Sequence, residues 1–515
     1  MTSRASVLLV ALAACGGSRA TPTTTAAPTP IAALVDPDPI SDPAEYAIPR
    51  ISREAGEAIF TRTGIGDPYR TGVPYPMFLA LLRAFPTTFG ATPDALAGKF
   101  GFIARAADPR SPDPDVRAGL PVGLHLTIDP LTAIPFVVTS CALCHAETIR
   151  WPGGSAFVVG LANKRVRIHA YDAAFAAITT QRGFSADHLG RLAREAATAA
   201  HVPWPDAYAP RIVATVIAAL QRRAADRAAL HARVADGLPG RVATIEAFAL
   251  VLGQLTGAAI APAPTVGWAK VPDVIGFPVR TTLAWDGSGQ GSMDLLAVEA
   301  DVAAGVRVAW LERHPFQGAS LGAYLRQPAP RPSFPGTIDR ALAARGQALF
   351  AAHCEACHGR YAADGRVVDY DEPIVALADV GTDPARADAA TASFTRAAND
   401  PHLTRGYTRF APTGGYVPPV LTNVWARAPY GHVGQWPSLA VLATPPAGRP
   451  SKLVIASGAD YDLDAVGVAT HPVGALADGE YVYDATRPGL SNAGHPFLAE
   501  LGGDARAVVE YLKTL

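Results

Sequence analysis

Sulfur is scarce in this chain. Its 515 residues hold five cysteines and three methionines, so chemistry based on thiol or thioether is confined to a few named positions. A charge imbalance is also missing: 44 basic side chains stand against 45 acidic ones, a formal net charge of −1. That balance removes the electrostatic case for a nucleic-acid partner and for membrane binding through a charged tail. Residues 16–44 have no aromatic side chain and consist mostly of Thr, Ala, Pro, Ser and Asp. Such a stretch cannot bury enough apolar surface to fold and is expected to be a disordered tether. The remainder can form a core, with 49% hydrophobic residues and length for two or three domains. Its 47 Gly and 46 Pro imply many loops and turns.

The cysteines fall in a pattern. Cys141-Ala142-Leu143-Cys144-His145 and Cys354-Glu355-Ala356-Cys357-His358 are two copies of Cys-x-x-Cys-His, the signature of covalent haem attachment. Thiols one helical turn apart add to the vinyl groups of a haem, and the following histidine coordinates its iron. A single copy also suits a zinc or redox site. Two intact copies that use every cysteine except Cys15 favour haem c, and no pair is left for a structural disulfide. The expected cofactors are therefore two covalently bound haems.

Cys15 has its own context. Arg4, the apolar run Val7 to Leu12 and then Ala13-Ala14-Cys15 resemble a bacterial lipoprotein signal over residues 1–15. The run is too short for a bilayer span, which needs about 20 residues. The resemblance implies cleavage before Cys15 and lipidation of its thiol, with a plain signal peptide as the competing reading. The mature protein is then expected outside the cytoplasm, anchored on the periplasmic or outer-surface side of a membrane, where haem c is normally attached.

Two haem-bearing units follow, residues 45–335 and 336–515. In the first, Pro74 to Leu82 reads as a helix with proline at its start. The β-prone run Ala133–Val138 leads into Cys141, so an extended segment approaches the first motif. Residues 183–235 carry helical spacing, and another helix opens near Gly240–Phe248. In the second unit, Arg345-Gly346-Gln347-Ala348-Leu349-Phe350 leads directly into Cys354. The spacing predicts a helix here and another over Asp504–Leu515, with Gly346 allowing the two to cross closely. The expected fold class is mainly α with many loops and few short strands, comprising two cytochrome c-like haem domains, the N-terminal one heavily elaborated.

Taken together, these segments resemble the di-haem cytochromes related to bacterial rubber oxygenases, a group akin to di-haem cytochrome c peroxidases. Carrying stretches include Thr71-Gly72-Val73-Pro74-Tyr75, Leu120-Pro121-Val122-Gly123, both haem motifs, Gly240–Phe248, Trp285-Asp286-Gly287 and Val380-Gly381-Thr382-Asp383-Pro384. The most specific are Leu421–Gly434, Ser491-Asn492-Ala493-Gly494-His495 and Glu510-Tyr511-Leu512-Lys513. The resemblance implies a late histidine on the electron-transfer haem, which here is His495, and a Phe248 that lines the pocket of the first haem.

The distal ligands decide function, because iron with two strong axial ligands moves electrons while an open sixth position can bind dioxygen or peroxide. Met1, Met77 and Met293 are the only methionines, so the second haem has no methionine from its own domain. His495, in a Gly-flanked loop before the last helix, is the favoured ligand opposite His358, with His432 as the rival; His402 and His471 read as solvent-facing loop residues. His125, His169, His188, His201, His231 and His314 lack the context of a ligand loop, which favours an open position opposite His145. Trp425 suits either electron passage between the haems or plain core packing. The expected function is haem binding and electron transfer, with the His145-bound haem as an oxygen- or peroxide-reactive oxidoreductase centre fed by the second. A pure electron carrier with both irons six-coordinate is the alternative. Partners are an electron donor or acceptor protein, and an apolar small molecule, dioxygen or peroxide.

Overall fold

The computed structural model describes residues 35–36, 50–65, 68–291, 315–404, 408–456 and 461–515. The expected signal, Cys15, nearly all of the expected tether, Met293 and His314 lie outside the described residues.

Nine of the helices among the described residues form the frame: α1 (Arg53–Arg62), α2 (Tyr75–Ala84), α3 (Ile168–Ala177), α4 (Ala186–Ala200), α5 (Ala209–Val234), α6 (Thr244–Thr256), α7 (Pro315–Leu325), α8 (Arg340–His353) and α9 (Ala505–Leu512). Local chemistry accounts for several ends. The Ser52 and Ser185 hydroxyls accept the backbone N–H of Ala55 and His188 at the starts of α1 and α4, each satisfying an orphaned donor. Proline sits in the first turn of α2 and α5, where no backbone donor is needed. Gly257 ends α6 in the left-handed conformation at φ 69°, where glycine carries no Cβ penalty.

A mainly α fold is not what the chain adopts. About 42% is helix and 15% strand, a mixed α/β composition with small sheets and many loops. Among the described residues every sheet has two or three strands. Strand β1 (Val73–Pro74) pairs with β3 (Pro135–Thr139), which pairs with β2 (Leu124–Ile128). Strands β4 (Ala146–Trp151) and β5 (Gly154–Val159) form a hairpin after the first Cys-x-x-Cys-His motif, and β6 (Arg241–Val242) pairs with β7 (Ala269–Lys270). In the C-terminal part β8 (Lys452–Ile455) lies between β9 (Thr470–His471) and β10 (Tyr481–Asp484). Strands of two residues are too short to show the alternation that marks a strand in sequence, so the long Ala-rich helices dominated the expectation.

The largest apolar core draws Ile149, Val158 and Trp268 together with Trp425, Tyr483 and Val508, so both halves of the chain contribute. A second core packs α2 and α4 around Met77, Phe78, Leu81 and Leu189. Two helix crossings matter most for the site. In α8–α9, Gly346 lies so close to the backbone of Ala507 that any Cβ would collide with it, and the Phe350 and Tyr511 rings meet at 5.3 Å and 56°. In α1–α7 the same parts recur. Gly56 faces Tyr324, a Cβ there would stand 2.5 Å from Cδ2 of that ring, and Phe60 meets Tyr324 at 5.4 Å and 49°. Gly56-x-x-Ile59-Phe60 thus echoes Gly346-x-x-Leu349-Phe350, and Tyr324-Leu325 echoes Tyr511-Leu512.

Candidate functional site

Each Cys-x-x-Cys-His stretch is a single tight turn. His145 N–H donates to the carbonyl of Cys141 at 2.9 Å, and His358 N–H to that of Cys354 at 3.0 Å. Strand β3 leads into the first turn, as expected from its β-prone run, and α8 into the second. Phe60 also packs beside the first motif, with its ring centroid 6.2 Å from that of His145. The first motif therefore has a helix pair against it like the second, except that the chain from Thr63 to Ser140 intervenes between α1 and the cysteines. Sequence reasoning missed this relationship. Its only signal was the Gly-x-x-Ile-Phe echo, which lies far from Cys141.

Both motif histidines are oriented in the same way. The Nδ1 atom of His145 is 2.9 Å from the carbonyl oxygen of Pro272, and that of His358 is 2.8 Å from the carbonyl of Pro419. Burial lowers both pKa values, so each ring is neutral and donates its single N–H at Nδ1. The Nε2 lone pair is then left for a metal, the arrangement that second-shell acceptors impose on ligating histidines.

His495 is the ring neighbour of His358, with centroids 6.1 Å apart at 52°. Two imidazoles on opposite sides of one iron, each bonded at about 2 Å, place their centroids about 6 Å apart. Nδ1 of His495 is buried with no hydrogen-bond partner. Burial, with a smaller contribution from His358, pushes its pKa down to about 3, so the ring is neutral and fit to ligate. Two segments clamp the loop that carries it. His495 N–H donates to Val380 O at 2.7 Å and Ser491 N–H to the Asp383 carboxylate at 3.0 Å, while Gly494 packs on Thr382 too closely to admit a Cβ. From the other side Arg449 donates to the carbonyls of Asn492 (2.8 Å), Gly494 (2.7 Å) and His495 (3.2 Å).

The other histidines lie elsewhere. His432 is buried, stacked on Tyr416 at 4.3 Å and 19°, with Nε2 unpartnered and its pKa held near about 3 by burial and then by Arg386. His402 and His471 are exposed. In the N-terminal half His125 bonds Asp115, His231 bonds Asp172, His188 lies against Arg191, and His169 accepts the N–H of Ala243 at 2.8 Å. His201 is exposed at the end of α4. Phe248 packs edge-on to Phe394 at 5.8 Å. Trp425 is a core residue, packed edge-on against Phe334 and Tyr461.

Burial raises the pKa of Cys144 to about 12 and of Cys354 to about 11, unlike reactive or metal-thiolate cysteines. Burial also pushes up the pKa of the Cys357 thiol. Among the described residues no group of three or more His, Cys, Asp or Glu side chains is arranged to hold a metal ion. Paired thiols one turn apart, an oriented proximal imidazole and, at the second motif, a facing imidazole at 6.1 Å fit a covalently attached haem.

No family model matches the chain. It is similar to two curated proteins of Sinorhizobium fredii, both described as uncharacterized. One, y4iM, is 30% identical over 235 residues, covering 36% of this chain and 51% of the relative. The other, y4iJ, is 26% identical over 243 residues, covering 35% and 40%. The chain thus spans about half the length of these relatives or less.

Proposed function

We propose that the protein is a lipid-anchored, extracytoplasmic di-haem c-type cytochrome. In this reading the second haem, held by Cys354 and Cys357 between His358 and His495, exchanges electrons with a donor or acceptor protein. The first, on Cys141, Cys144 and His145, is the reactive centre. Bound haem supplies one-electron chemistry and, where a sixth position is open, a site for dioxygen or peroxide. The observation that carries the proposal is the shared second shell: at both motifs a proline carbonyl fixes Nδ1 and frees Nε2. The facing ring of His495 supports it further.

The chain's own part is positional. Pro272 and Pro419 hold the proximal rings, while Arg449, Val380 and Asp383 hold the distal loop. For the first motif, His125, His169, His188 and His231 have partners of their own and His201 is exposed, and the ring beside His145 is that of Phe60. That supports an oxidoreductase reading with dioxygen or peroxide, and an apolar small molecule as further substrate.

Electron paramagnetic resonance of the ferric matured protein, with carbon monoxide binding after reduction, tests the assignment. One low-spin bis-histidine signal, one high-spin signal and one carbon monoxide per chain are expected. Two low-spin signals with no carbon monoxide bound would leave a pure electron carrier.

A further inference from the structure

We propose that Asp273 and Arg427 form a buried polar bridge that couples the two haem sites through their proximal histidines. This inference rests on the di-haem reading above. On one side, His145 donates to the carbonyl of Pro272 at 2.9 Å, and the next residue is Asp273. Its carboxylate accepts from Arg427 Nε at 2.8 Å, with side chains only 3% and 8% exposed. Arg427 Nη1 in turn donates to the carbonyl of Val420. Val420 follows Pro419, whose carbonyl accepts from His358 at 2.8 Å. An unbroken path of hydrogen bonds and single peptide steps therefore joins the two imidazoles.

Both ends of the path are tied to their motifs. Val274 N–H donates to Gly160 O, and Gly160 N–H to His145 O at 2.8 Å. On the other side Tyr361 donates its hydroxyl hydrogen to His358 O at 2.7 Å while accepting Leu421 N–H at 2.5 Å. Lys270 Nζ holds the Arg427 carbonyl at 2.8 Å and that of Pro429 at 2.9 Å. The bridge is fixed along its whole length.

The pair is polarised. The Asp273 carboxylate lies on the side of the path that reaches His145 through Pro272, and the Arg427 guanidinium on the side that reaches His358 through Val420 and Pro419. In a buried, poorly screened setting such charges act strongly over short distances. A carboxylate favours the more positive state of the site beside it and so lowers that site's potential. The guanidinium does the reverse. With both haems bound, one electron would pass between them, one haem being oxidised as the other is reduced, with no bond made or broken.

Spectroelectrochemical titration of the full-length matured protein tests this, with haem content measured first. Asp273→Asn keeps an acceptor for Arg427 but removes the charge. The first haem's potential should rise by a tenfold or larger change in its one-electron equilibrium, about 59 mV, and the second's by less than threefold. Arg427→Lys keeps the charge but loses the fork that reaches Asp273 and Val420 together. It should leave both potentials near wild type and slow electron exchange between the haems tenfold or more after flash photolysis of the carbon monoxide form. Equal shifts of both haems in Asp273→Asn, or unchanged exchange in Arg427→Lys, would overturn the bridge with both haems still in place. A wild-type protein without two haems would overturn the underlying reading instead.

Discussion

Gly346 crosses Ala507 so closely that no side chain fits between the two backbones, and Gly56 meets the Tyr324 ring in the same manner. Each contact sets the spacing of a helix pair beside a Cys-x-x-Cys-His motif. Gly346→Ala must push α8 and α9 apart, an overpacking expected to cost about 1–3 kcal/mol. Gly98→Ala is the control, because that glycine lies in the short helix Pro93–Phe100 with nothing within 4 Å of an added Cβ and alanine there should stabilise by up to about 1 kcal/mol. Urea unfolding midpoints of the two variants check the contrast, and Gly56→Ala should behave like Gly346→Ala.

Arg449 carries three of the contacts that hold the His495 loop. Arg449→Gln should lose hydrogen bonds from a charged group, each about 1.5–3 kcal/mol, and release the loop. The expected result is a high-spin fraction at the second haem, read by electron paramagnetic resonance and reversed by added imidazole. His432→Phe, which alters a ring stacked on Tyr416, should leave that low-spin signal unchanged.

Buried histidines make the fold acid-sensitive. Burial lowers the pKa of His169 to about 4 and that of His432 to about 3, below the value of about 6.5 in an unfolded chain. Between these values the unfolded state binds the extra proton, so stability falls as pH drops from 6.5 toward 4, by up to about 1.4 kcal/mol per pH unit for each histidine. His432→Gln should flatten the dependence of the urea midpoint on pH over that window relative to wild type. Parallel curves would contradict the assignment.

Anchoring has a separate test. Cys15→Ser should move the matured protein from the detergent phase to the aqueous phase in cloud-point partition and abolish its labelling by a radioactive fatty acid, without changing the haem spectrum.

How much of this was legible in the sequence follows from how local each signal is. The two motifs, the α8–α9 pair and the Gly346 crossing could be read because their residues lie next to the cysteines or at the chain end with clear helical spacing. The clamp on the His495 loop was legible only as separate stretches: Val380–Asp383 and Ser491–His495 were noted individually, but the bonds that unite them span more than a hundred residues. The α1–α7 pair was hidden by the chain inserted between Phe60 and Cys141. The fold class went wrong because two-residue strands such as β6 and β7 join distant segments and leave no periodic trace.

The most direct test is the pyridine haemochrome of protein matured in a host that attaches haem c, taken before and after extraction with acid acetone. The account predicts two haems per chain, both retained by the polypeptide after extraction. A chain without a Soret band, or one whose chromophore leaves with the solvent, would contradict it.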